Sequence, residues 1–62
     1  MYLATRGSER LVEGDDINQV VAYAEEKMGK GYGDIIIWED EKTIACELHD
    51  EGDDNISINY RN

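Results

Sequence analysis

The sequence predicts a small α+β fold in which one amphipathic helix covers one face of an antiparallel sheet. Residues 16–28 carry apolar side chains at helical spacing, and three β-branched and aromatic runs follow near 34–39, 43–49 and 56–61. The links between those runs are short and polar, which is typical of an antiparallel meander. With 62 residues the chain has the size of one domain, so we expect a single unit spanning residues 1–62.

The N-terminal segment predicts one strand and leaves a second one open. Residues 2–6 form a short apolar run, and residues 10–13 are either a short strand or a loop. Gly7 and Ser8 between them are turn formers, which favours a hairpin. We expect this strand or hairpin to lie beside the meander.

The helix is the clearest element of the sequence. One apolar stripe follows the i, i+3, i+4, i+7 and i+11 spacing of a helix face, formed by Ile17, Val20, Val21, Ala24 and Met28. Asp16 immediately before the stripe is a favourable N-cap residue.

Alternation assigns the faces of the meander strands. The face expected under the helix carries Ile44, Cys46 and Leu48, with Ile56, Ile58 and Tyr60 on the last strand. The run Ile35-Ile36-Ile37-Trp38 is apolar on both faces, as in buried strands. Because one helix covers only one face, either Ile36 or Ile37, together with Trp38, should face something other than the helix.

Little in the sequence points to catalysis or to a cofactor. Cys46 and His49, the single cysteine and the single histidine, are three residues apart on a predicted strand. That spacing places them on opposite faces, so a Cys-His pair is not expected. The acidic loop 50–55 offers oxygen ligands, but it lacks the EF-hand order, so calcium binding stays an alternative to a solvated turn. We therefore expect a non-enzymatic protein without cofactor or metal.

The charge distribution is the strongest functional signal. Net charge is −9, and residues 34–54 hold nine carboxylates but only one basic residue. Such a chain repels nucleic acid and anionic membranes and attracts basic protein surfaces. The candidate partner-binding residues are seven acids flanking the central meander strand, one acid within it and two apolar neighbours: Glu39, Asp40, Glu41, Asp50, Glu51, Asp53 and Asp54, then Glu47, then Ile36 and Trp38.

The spacing of these acids is comparable with that of phosphates on DNA. Seven strand residues at about 3.3 Å each separate the two acidic clusters by about 23 Å. Duplex DNA carries about a dozen charges over that length. In size, charge and compact α+β plan, the chain resembles the DNA-mimic proteins that phages use against host defences, anti-CRISPR proteins among them. The resemblance implies an inhibitor or decoy that presents carboxylates to a basic, nucleic-acid-binding protein.

The second hypothesis is a self-associating structural or regulatory module whose acidity serves solubility. Its basis is the uncovered apolar face and the small core available to a chain this short. In that case an edge strand, residues 1–6 or 55–61, would pair across a two-fold axis and form a homodimer.

The compartment follows from what the sequence contains. The few residues before Arg6 are too short a stretch for the apolar region of a signal peptide, so we expect none, and no apolar run approaches the roughly 18 residues of a membrane span. One free cysteine is typical of a reducing environment. We expect a cytoplasmic protein, acting in the host cytoplasm if it is viral.

Overall fold

The computed structural model describes residues 1–29, 33–40, 42–53 and 55–61. Five strands and one helix follow each other along the chain: β1 (Tyr2–Arg6), β2 (Glu9–Gly14), α1 (Ile17–Met28), β3 (Ile35–Trp38), β4 (Ile44–Gly52) and β5 (Asn55–Tyr60).

The strands form one antiparallel sheet in the order β2-β1-β3-β4-β5, and the helix packs on one face of it. The α+β class, the C-terminal meander and the N-terminal hairpin beside it are confirmed. The expectation that residues 1–6 form an edge strand is wrong. Strand β1 lies inside the sheet between β2 and β3, so the two edges are β2 and β5.

The N-terminal hairpin closes through a two-residue link. Arg6 pairs with Glu9, and Gly7 between them has a φ of 61°, a left-handed conformation that glycine adopts without steric cost. The second strand, which the sequence left open, is therefore present. The register shifts between Ala4 and Thr5, which leaves Leu11 as an extra residue on β2.

The helix begins where its cap residue was predicted. The Oδ1 of Asp16 accepts a 2.9 Å hydrogen bond from the backbone N–H of Asn18. The apolar stripe is buried, with Ile17 at its start half-buried. The core beneath it consists of Ala4, Ile35, Ile37, Ala45, Cys46 and Leu48 from the sheet.

A bulge in β4 changes the predicted faces of two residues. Ile37 pairs with Cys46, but the next residue, Trp38, pairs with Ile44, so Ala45 is the extra residue. A one-residue slip moves every following side chain to the other face. Ile44 therefore lies opposite the helix-covered face, contrary to the prediction, and Ala45 is buried in the core at 7% exposure.

Strand β4 also extends beyond its predicted end. The sequence predicted a loop over residues 50–55, but β4 continues to Gly52, which pairs with Asn55. Gly52 and Asp53 both have positive φ, 85° and 52°, and aspartate is among the residues that tolerate this conformation. Asp50 and Glu51 thus belong to the strand rather than to a long loop.

Within the described ranges, no helix combines the length and the apolar character required to cross a membrane.

Candidate interaction surface

The sheet face opposite the helix, here called the open face, is left uncovered by α1. Pairing and alternation place both apolar and charged residues on it, and most of them are half-buried: Leu3, Thr5, Ile36, Trp38, Ile44, Glu47 and His49. The adjacent isoleucines lie on opposite faces of the sheet. Ile37 is fully buried under the helix, whereas Ile36 is half-buried on the open face. Both predicted apolar site residues, Ile36 and Trp38, therefore lie on this face.

Trp38 is held against the sheet by a hydroxyl. Its indole Nε1–H donates a 3.0 Å hydrogen bond to Thr5 Oγ1, and the Thr5 hydroxyl lies 3.4 Å from the carbonyl oxygen of Ile36. The open groove beside the indole has a volume of about 380 Å³. Leu3 and Trp38 give it an apolar floor, and the charged residues lining it are Arg10, Glu13 and Asp40.

A polar network occupies the β4–β5 side of the open face. Glu47 Oε2 lies 2.5 Å from the Arg61 guanidinium, and only 16% of the Glu47 side chain is exposed. His49 lies between two carboxylates, with Nε2 3.2 Å from Glu47 and Nδ1 3.2 Å from Asp34. The network ties β4 and β5 to the start of β3. Because the Glu47 carboxylate already contacts Arg61 and His49, it is a weaker substitute for a phosphate than an unpaired acid.

The two carboxylates raise the pKa of His49 above its ordinary value, Asp34 contributing most through its hydrogen bond. The pKa of Asp34 is lowered, mainly because the backbone N–H of Asp50 donates to its Oδ1 at 2.9 Å, and also because of His49. His49 is half-buried and links β4 to Asp34, the residue immediately before β3.

One end of the sheet carries the acids of the β3–β4 turn. Glu39 and Asp40 are exposed there. Asp40 Oδ1 accepts hydrogen bonds from the backbone N–H groups of Lys42 and Thr43, at 2.8 and 2.9 Å. These bonds, that of Lys42 first, lower the pKa of Asp40. Asp40 therefore stabilises the turn and at the same time presents a carboxylate to solvent.

The opposite end carries the acids of the β4–β5 hairpin. Asp50, Glu51 and Asp53 are all exposed, and Asp50 Oδ1 accepts a 2.9 Å hydrogen bond from the N–H of Gly52. Two further predicted site residues, Glu41 and Asp54, lie outside the described residues.

The predicted acids therefore do not form one continuous cluster in the structure. Five lie at the two sheet ends (Glu39, Asp40, Asp50, Glu51 and Asp53), and Glu47 lies between the ends in the polar network. Sequence reasoning missed Asp34, Arg61, Arg10 and Glu13. Alternation along β4 and β5 is the signal that could have placed Arg61 on the same face as Glu47. Nothing in the sequence placed Glu13 on the same groove as Trp38, because that arrangement depends on β1 lying between β2 and β3.

The two chemically distinctive residues lie apart. Cys46 is fully buried on the helix side, which raises the pKa of its thiol, whereas His49 is on the open face. No group of three or more residues suited to holding a metal ion occurs among residues 1–29, 33–40, 42–53 and 55–61.

Comparison with known proteins adds no family: no family model, no curated protein and no solved structure matches the chain.

Proposed function

We propose that the protein is a non-enzymatic binding protein that docks its open face on a basic surface of a nucleic-acid-binding protein, as an inhibitor or decoy. One observation carries this proposal. The open face holds an apolar band between two sheet ends that both present exposed carboxylates. A partner surface built for nucleic acid offers the complement, cationic side chains around a contact area that excludes water.

The dimensions support phosphate mimicry. The six residue steps from Ile44 to Asp50 along β4 separate the two acidic ends by about 20 Å, a length over which duplex DNA carries about a dozen charges. Charge-assisted hydrogen bonds from arginine and lysine to the carboxylates would replace those made to phosphates. The remaining charge of the chain would speed the encounter at low ionic strength.

The apolar band would add short-range apolar contacts to the electrostatic ones made by the carboxylates. Leu3, Ile36, Trp38 and Ile44 offer short-range contacts, and tryptophan is frequent among residues that dominate binding energy. Trp38 is already oriented by Thr5, so little side-chain freedom would be lost on binding.

The target class and compartment are part of the same proposal. The likeness in size, charge and α+β plan to phage DNA-mimic proteins supports a nucleic-acid-binding defence protein, such as a CRISPR effector, as the target. The protein would then act in the cytoplasm, where a free thiol such as Cys46 stays reduced.

The proposal is tested with two charge-reversal variants of equal net charge. Glu39→Lys/Glu51→Lys reverses one acid at each sheet end and spares Asp40 and Asp50, which accept turn hydrogen bonds. Glu25→Lys/Glu26→Lys reverses two exposed acids on the helix, away from the open face. Each Glu→Lys substitution raises the net charge by two, so each double variant has a net charge of −5 instead of −9.

Immobilised wild type and both variants are exposed to nuclease-treated lysate of the source cell and eluted with a salt gradient. We expect wild type and the helix variant to retain a basic protein, and the sheet-end variant to lose it. Added duplex DNA should displace that protein. Equal retention on both variants, or capture that duplex DNA does not displace, would contradict phosphate mimicry.

A further inference from the structure

Strand β5 ends the sheet, and its outer edge has no partner in the part of the chain that the structure describes. The backbone N–H of Arg61 donates a 2.8 Å hydrogen bond to the carbonyl of Ala45 on β4. Because backbone groups alternate in direction along a strand, Ser57 and Asn59 also point toward β4. Ile56, Ile58 and Tyr60 therefore direct their N–H and C=O groups outward.

The two sheet edges differ in how well they resist pairing. Strand β2 carries the Leu11 bulge and the charged residues Glu9, Arg10 and Glu13, all of which discourage an added strand. Residues 55–60 contain no charged residue and no proline, and the register shift of this hairpin lies on β4. An edge without these features is a template for another strand.

We propose that β5 pairs with β5 of a second copy, antiparallel across a two-fold axis, with Ile58 opposite Ile58 of the second copy. This register places Ile56 opposite Tyr60, so all three outward-facing residues of both copies exchange backbone hydrogen bonds. With the axis at Ser57, Tyr60 would lie opposite a residue that precedes the strand. With the axis at Asn59, Ile56 would lie opposite a residue that follows the strand. The register centred on Ile58 therefore gives hydrogen-bond partners to the largest number of outward-facing backbone groups.

Side-chain packing favours the same register. The register with β4 places Ile56, Ile58 and Tyr60 on the helix-covered face. The helix packs mainly against β1 and β2, so Ile56 and Ile58 remain half-buried and Tyr60 is 52% exposed. Pairing would form isoleucine–isoleucine and isoleucine–tyrosine cross-strand contacts at the two-fold axis.

Charge complementarity identifies a second copy as the occupant. Arg61 follows one end of β5, and Glu51 and Asp53 lie at the hairpin before its other end. Antiparallel pairing brings Arg61 of each copy beside the acidic hairpin of the other. The Arg61 side chain is 62% exposed while bound to Glu47, so part of its guanidinium is accessible to a further carboxylate.

The dimer goes beyond the proposed function and does not depend on it. Directly opposed residues in an antiparallel pair share a face, so both open faces would lie on one side of a continuous sheet. Net repulsion between two chains of −9 opposes association, and salt screens that repulsion. Dimerisation should therefore strengthen with salt, whereas binding to a basic partner should weaken.

The test compares two tyrosine substitutions that add the same charge. Tyr60→Glu places a carboxylate at the proposed interface, and Tyr23→Glu places one on the helix, at a residue that is 36% exposed and lies over Lys27. Sedimentation equilibrium covers about 10 μM to 1 mM, the range expected for an interface this small. We expect wild type to dimerise, Tyr60→Glu to raise the dissociation constant about tenfold or more, and Tyr23→Glu to change it less than about twofold.

Amide hydrogen exchange by NMR locates the interface. The N–H groups of Ile56, Ile58 and Tyr60 should gain protection as wild-type concentration rises, while those of Ser57 and Asn59 are protected throughout, in Tyr60→Glu as well. The proposal is overturned if wild type stays monomeric at about 1 mM in raised salt. It is equally overturned if a dimer forms without added protection at the three outward-facing amides.

Discussion

The indole N–H of Trp38 donates a 3.0 Å hydrogen bond to the hydroxyl of Thr5 on the neighbouring strand. Trp38 pairs across the sheet with Leu3, and Thr5 lies two residues further along β1. The indole therefore leans along the sheet surface toward Thr5. This contact defines the centre of the open face, and it makes the position of Trp38 depend on the residue at position 5.

Replacing Thr5 by valine should release the indole while preserving the shape and β propensity of residue 5. Because the bond is only partly buried and water can replace it, we expect a loss of about 1 kcal/mol or less in the free energy of unfolding. Trp38 is the single tryptophan, so a red-shifted emission spectrum should report its greater contact with water. Thr5→Ser keeps the hydroxyl, and an equal shift in that variant would argue against this role for the bond.

Adjacent isoleucines provide a matched test of which sheet face is the core. Ile37→Val removes a methyl group from a fully buried side chain and should cost about 1 kcal/mol of unfolding free energy. Ile36→Val makes the same change on the half-buried open face and should cost clearly less. Urea denaturation of both variants measures the difference. Equal costs would mean that the open face is buried by something outside the described contacts.

The position of His49 between Asp34 and Glu47 predicts a pH-dependent contribution to stability. Its native pKa is raised above 6.5, so the folded protein holds a proton that the unfolded chain releases. The contribution is fully present below pH 6.5 and is lost as the pH rises through the raised native value. The stability difference between wild type and His49→Asn should therefore be larger about one unit below pH 6.5 than about two units above it.

The His49 comparison has an internal control. Asp34→Asn removes the charge beside His49 but keeps an oxygen that can accept from the N–H of Asp50. In that background the pH dependence of the His49→Asn effect should shrink. An unchanged pH dependence would show that Asp34 is not the main cause of the raised histidine pKa.

The β3–β4 turn should depend on an acceptor at residue 40 more than on its charge. Asp40→Ala removes the oxygen that accepts from the N–H groups of Lys42 and Thr43 and should lower the free energy of unfolding. Asp40→Asn should retain most of that stability near neutral pH. Because the pKa of Asp40 is lowered from 3.8, its charge-dependent contribution is present above pH 3.8 and is lost as the pH falls through the native value. Thermal unfolding of both variants at pH 7 and near pH 3 checks this, and equal losses at neutral pH would contradict it.

Local sequence signals were sufficient for the elements and for most of the core. Periodicity identified the helix stripe, and alternation correctly placed Cys46 and Leu48 toward the helix. Alternation failed at Ile44 and Ala45, because a bulge shifts the register by one residue and leaves little trace in an apolar run.

The candidate surface could be predicted only in part. The unbroken apolar run at residues 35–38 predicted that Trp38 and either Ile36 or Ile37 would face away from the helix, and the register with β4 assigns that position to Ile36. The groove beside Trp38 could not be predicted, since it requires β1 to lie next to β3 and to bring Glu13 along on β2. The reduced role of Glu47 likewise depends on its ion pair with Arg61, a contact between neighbouring strands.

Docking of the open face on a basic protein can be followed directly by ¹⁹F NMR titration of protein labelled with 5-fluorotryptophan, in which Trp38 gives the only tryptophan resonance. The titrant is the basic protein retained by the wild-type column, followed by excess duplex DNA. We expect the Trp38 resonance to shift as this protein binds and to return to its free position when DNA displaces it. A complex that forms without any change at Trp38, or that binds DNA without releasing this protein, would show that the open face does not dock on a nucleic-acid-binding surface.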